Sequence, residues 1–218
     1  LSGAPLIGPD AERYYLGSSQ GGIYGATYLA VSPDLERGIL GVPGQNYSLM
    51  LNRSVNFASF SDLLRPRFPG GLDVPLVIHL AQMLWDRAEP SGYSRYLNDP
   101  LPGRGPRQAL LMVAIGDNQV PTQAAHLLAR SIGDVGHLGP VNRPVFGLPV
   151  VDAVDGGSAM LEFDFIDGQP EPLENVPSTF QPDPHSRIGE VPAAFEVGRS
   201  FLRTGAITNR CDGPCDPD

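Results

Sequence analysis

The chain has 218 residues, 41% hydrophobic and 18% charged, long enough for one domain with a sizeable core and short for two. Its net charge of −9 argues against a nucleic-acid partner, because neutralising phosphates requires a basic face. No apolar run approaches the ~20 residues that span a bilayer, so no membrane span is expected.

The chain begins at Leu1, and no charged and then apolar leader precedes the first apolar run; a fragment or a processed or trimmed product is expected. Residues 13–17 (Arg-Tyr-Tyr-Leu-Gly) read as a buried strand. Residues 21–32 follow as a helix with Ile23, Ala26, Tyr28, Leu29 and Ala30 on its stripe, stopped by Pro33-Asp34. Residues 37–42 read as a second buried strand, ended by Pro43-Gly44. Residues 46–106 differ in character: amphipathic pieces at 57–64 and 74–87 are separated by Pro-Gly signals, and no strand is apparent.

Regular alternation then resumes. Residues 108–115 form a continuous apolar strand and 122–132 a helix. Residues 158–165 (Ser-Ala-Met-Leu-Glu-Phe-Asp-Phe) alternate like an outer strand, a Pro-rich loop runs to Pro184, and 191–203 form a closing helix. Strands alternating with helices predict a single α/β domain over 1–218, a mostly parallel sheet with helices on both faces. Cys211 and Cys215, four positions apart across a Gly-Pro turn, read first as a local disulfide, with free thiols or a zinc site as alternatives.

Between the first strand and the first helix lies Gly17-Ser18-Ser19-Gln20-Gly21, a G-x-S-x-G spacing in a strand-turn-helix context. A tight turn lifts one hydroxyl above the sheet edge, and the helix then passes so close to the strand that flanking positions must be small. Ser19 has Gly two positions before and after it; Ser18 does not. Ser19 is therefore the candidate nucleophile, and the backbone N–H of Gln20 a candidate oxyanion donor.

A serine hydroxyl needs an imidazole to take its proton and a carboxylate to hold that imidazole. Of four histidines, His79 and His126 sit in helical stretches and read as structural, and His137 lies in a Gly-rich loop as the reserve base. His185 follows the last strand and precedes the closing helix, where a base is expected. Asp117, directly after the 108–115 strand, is the candidate acid, with Asp164 and Asp167 in reserve. No metal ligand set and no cofactor motif is found, so none is expected.

Gly17 to Gly22, then Asp117-Asn118-Gln119-Val120-Pro121, then His185 before a helix ending Ser200-Phe201-Leu202, together resemble the α/β-hydrolase superfamily. The resemblance covers nearly the whole chain and implies acylation of Ser19, deacylation by water activated by His185, and a cap, for which 46–106 is the candidate. The chain departs from the family in having few residues before the elbow, where the family carries about four more strands and a loop bearing a second oxyanion donor. Either Asn46, Tyr47, a nearby amide or another polypeptide is expected to substitute, or the isolated chain is expected to be slow. The first strand is expected to have one open edge, favouring self-association or a partner chain there. The leading functional expectation is a carboxylesterase or lipase acting on a small-molecule ester. A peptidase, thioesterase or acyltransferase using the same residues is the alternative, as is a non-enzymatic fragment or interaction module.

Overall fold

The computed structural model describes Gly8 and residues 11–217. In chain order its elements begin with β1 (Tyr14–Ser18), α1 (Gln20–Val31) and β2 (Arg37–Gly41). The short helices α2 (Tyr47–Met50) and α3 (Ala58–Leu64) and the longer α4 (Asp73–Trp85) follow. Then come β3 (Gln108–Ile115), α5 (Thr122–Ile132), β4 (Val135–Leu138), β5 (Val150–Val151), β6 (Ala153–Asp155), β7 (Ser158–Asp164), α6 (Pro192–Thr204) and β8 (Ala206–Thr208).

Six strands make one sheet in the order β1-β2-β3-β7-β4-β5, every neighbouring pair parallel, while β6 and β8 form a small antiparallel ladder. The α/β arrangement expected from the alternation of strands and helices is present. Along β3 successive side chains point to opposite faces, so a run of eight residues with seven buried serves two cores at once. Ala109, Leu111 and Val113 join Leu29 of α1 and Leu128 of α5 on one face. Leu110, Met112 and Ala114 join Val197 and Phe201 of α6 on the other. Pro192 opens α6 at a position that needs no N–H, and Gly205 closes it at φ 79°, a conformation cheap only for glycine.

Four expectations need correction. The strand at 158–165 is not an outer one: β7 lies between β3 and β4 and is buried at all seven positions. His137 is not in a loop but on β4, fully buried. The first strand is not fully buried: β1 is the sheet edge, half-buried, with Leu16 70% exposed. Of the stripe expected on α1, Tyr28 is left exposed. The stretch 46–106 is helical and without strand among the described residues, as its pattern suggested. Cys211 and Cys215 are disulfide-bonded, and the Cys215 carbonyl accepts from the Asp164 N–H at 2.8 Å, tying the tail to the end of β7.

Candidate active site

The carboxyl ends of β1 and β3 and the turn before α6 bring three side chains together. At the end of β1 the chain reverses through Ser19, whose φ of 59° and ψ of −125° are rarely populated by a residue with a side chain. Its N–H donates to the Gly41 carbonyl at 3.0 Å, pinning the turn to β2. The close packing predicted around the elbow is real but distributed differently from the motif. A Cβ on Gly17 would sit 2.6 Å from the Gly21 carbonyl oxygen, whereas one on Gly21 would meet only the Tyr15 hydroxyl at 3.7 Å. The tight glycine after the serine is Gly22, where a Cβ would collide with the Gly41 carbonyl.

His185 Nε2 lies 2.8 Å from Ser19 Oγ, and its Nδ1 lies 2.7 Å from Asp117 Oδ2. Ser18 makes no hydrogen bond to His185 among the described residues. Asp117 leaves β3 through Gly116, whose φ of 82° suits glycine, and is 1% exposed. Its other oxygen accepts from the N–H groups of Gln119 at 2.7 Å and Val120 at 2.9 Å, so the carboxylate is fully engaged and its direction fixed. Burial alone would lower the His185 pKa, but the hydrogen bond and charge of Asp117, with the charge of Asp183, outweigh it and hold it above the ordinary value.

The reserve candidates lie elsewhere. Asp164 turns its oxygens to the N–H groups of Ile166 and Gly168, and Asp167 is exposed. His79 is exposed on α4 against the Pro75 carbonyl. His126 and His137 converge on Glu162 of β7, at 2.6 Å and 3.2 Å. The first contact is a hydrogen bond; the second is close but poorly aligned. Burial would raise the Glu162 pKa, yet the two imidazoles outweigh it and hold the carboxyl down at about 2.

Two positioning residues escaped sequence reasoning. Asp183 caps the turn that carries His185, accepting from the His185 N–H at 3.1 Å and from Gln119 Nε2 at 2.9 Å. The Asp-Pro-His order, a capping carboxylate before a proline at the first helical position, was the available signal. Asn118 grips the Phe180 backbone through both N–H and C=O, at 3.0 Å and 2.9 Å. Nothing local in the sequence marks that contact, because it spans 62 positions.

The first intrahelical bond of α1 runs from the Ile23 N–H to the Ser19 carbonyl, which leaves the Gln20 N–H without a helical partner. Asn46 is committed to capping α2, its side-chain oxygen accepting from Leu49 N–H and Ser48 Oγ. Tyr47 packs between Tyr24 and Trp85, and burial pushes its phenol pKa up. Neither makes a hydrogen bond to Ser19 among the described residues. An apolar cavity of about 200 Å³ opens beside His185, walled by Leu16, Ile39, Val42, Met112, Ala194 and Phe195. Among the described residues no group of three or more His, Cys, Asp or Glu side chains is arranged to hold a metal.

No protein-family model matches the chain, and no curated protein matches it. Among solved structures it is similar to the uncomplexed acylaminoacyl peptidase of Pyrococcus horikoshii, at 15% identity and a TM-score of 0.49. That match covers 94% of this chain and 26% of the other, so the chain spans about a quarter of that protein's length. The reading of the site therefore stands on its own geometry.

Proposed function

We propose that this protein is a serine hydrolase that cleaves carboxylic esters, with Ser19 as nucleophile, His185 as general base and acid, and Asp117 as the carboxylate that orients it. The observation that carries the reading is the unbroken chain from Ser19 Oγ through both ring nitrogens of His185 to a buried, doubly anchored Asp117. As Ser19 Oγ attacks the ester carbonyl, Nε2 takes its proton; Asp117 keeps the Nδ1 proton in place and stabilises the imidazolium. The tetrahedral oxyanion faces the Gln20 N–H. Its collapse breaks the C–O bond, the alcohol departs with the proton from Nε2, and the acyl group stays on Ser19. Water then attacks the acyl-enzyme, gives its proton to His185 and frees the acid.

Two features favour esters over amides. The cavity beside His185 is apolar and suits an acyl or alkyl group. One oxyanion donor is identified, and a missing second costs on the order of 10²–10³ in turnover, a loss that a good alkoxide leaving group tolerates better than an amine. The helical stretch 46–106 is proposed as the cap of this site.

A panel of p-nitrophenyl esters, acyl thioesters and N-acyl peptides tests the reading. Turnover of short esters above the Ser19→Ala background is expected. Faster turnover of the peptides would make the protein a peptidase, and no turnover of any class would remove the enzymatic reading.

A further inference from the structure

A second concave site lies away from Ser19. The loops at 143–146 and 170–178 close against α5 and Arg53 around a groove of about 610 Å³, within the range of small-molecule sites and larger than the cavity of about 200 Å³ beside His185. The two share no lining residue. Leu127 of α5, Val145, Phe146 and Val176 give the groove an apolar wall. Three arginines, Arg53, Arg130 and Arg143, line it against one carboxylate, Glu171, on a chain of net charge −9. Glu171 is already engaged: one oxygen accepts from Thr122 Oγ1 at 2.6 Å and the other from the Arg143 guanidinium, so these two charges offset each other. Arg53 and Arg130 have no such partner. Arg53 donates to the carbonyls of Pro172 at 3.1 Å and Leu173 at 2.9 Å, which fixes its guanidinium in the wall and leaves its charge intact. Arg130 lies over the Phe146 ring at 5.4 Å and makes neither a hydrogen bond nor a salt bridge among the described residues. Of the other carboxylates on these segments, Glu162 is buried behind its partner His126, and Glu174 is exposed outside the lining.

Ser178 is an independent sign of a ligand. It is 6% exposed and lines the groove, and its hydroxyl makes no hydrogen bond among the described residues. A hydroxyl taken that far out of water ordinarily has a partner. This one is not sealed off, so its open side is the groove it lines. An apolar wall, two guanidinium groups without counter-charge and a free hydroxyl select an oxyanion on an apolar body. The head accepts from these N–H and O–H donors, and the body displaces water from Leu127, Val145 and Phe146. A cation would be repelled by Arg53 and Arg130, and a neutral molecule would leave their charge unanswered.

We infer that this groove binds a small organic anion, a carboxylate or phosphate head on an apolar body, through Arg53, Arg130 and Ser178. The inference does not rest on the hydrolase reading, and Ser19→Ala should leave the binding unchanged. The test is isothermal titration calorimetry of the whole chain with 4-phenylbutyrate and with phenyl phosphate, against 4-phenylbutanol, acetate and inorganic phosphate. One site per chain is expected for at least one aromatic anion, and the tighter of the two identifies the head. Arg130→Gln should weaken it about tenfold and Ser178→Ala severalfold, both variants folded by circular dichroism. The inference is overturned if neither aromatic anion binds. Equal affinity for 4-phenylbutanol would show that charge is not read, and equal affinity for the bare ions that the apolar wall is not; either result overturns it. Binding that Arg130→Gln and Ser178→Ala both leave unchanged would place the anion outside this groove and overturn it equally.

Discussion

A serine hydroxyl 2.8 Å from an imidazole is only as reactive as that imidazole is basic. Asp117 raises the His185 pKa above its ordinary 6.5, so the imidazole begins to protonate above that value and, in the proposed mechanism, can then no longer act as base. The acid limb of kcat/KM is therefore expected to have an apparent pKa above 6.5, and a limb at or below it would contradict the assignment. The stability linkage runs the other way: a raised pKa contributes stability present below 6.5 and lost as pH rises through the folded value. Asp117→Asn removes the cause and leaves the wrong tautomer, so turnover should drop by about 10⁴, with Asp164→Asn near wild type. His185→Ala should cost nearly as much as Ser19→Ala, because in the proposed mechanism the two act as one unit. The three side chains that meet were legible because the elbow spacing after β1, an Asp after the apolar β3 and a His before the closing helix are local signals. Asn118 was not, since its partner lies far along the chain.

At the scale of elements, β7 explains both what the sequence conveyed and what it concealed. Its alternation of Glu162, Phe163 and Asp164 suggested one wet face. That face is instead buried, with His126 of α5 hydrogen-bonded to Glu162 and His137 of the neighbouring β4 beside it, so the carboxylate keeps polar partners. The glycines around His137 disguised β4 as a loop, and β5, β6 and β8, of two or three residues each, are too short to carry a period. The depressed pKa of Glu162 contributes stability present above its ordinary 4.5 and lost as pH falls toward about 2. Glu162→Gln should cost about 1–3 kcal/mol at neutral pH and flatten the acid dependence of the melting temperature below 4.5. An unchanged melting profile would show that the cluster contributes no stability.

For the whole molecule, the open side of β1 is the distinctive feature. Among the described residues β1 pairs only with β2, and Leu16 is exposed beside the apolar cavity. Tyr14 and Tyr15 are half-buried, Tyr15 bonding the Gly21 carbonyl at 2.7 Å, so the edge is less greasy than its sequence implied but still offers unpaired backbone groups. Self-association or capture of a partner strand along β1 is proposed, and light scattering on the eluting chain checks it: a monodisperse 23.3 kDa monomer would contradict the proposal. The claim on which the functional reading depends is that this molecule, as it stands, holds one activated serine. Labelling with a fluorophosphonate followed by peptide mass spectrometry tests it most directly. The expected result is one adduct per chain, on Ser19, nearly abolished in His185→Ala. An adduct on Ser18 or elsewhere, or none at all, would contradict the account.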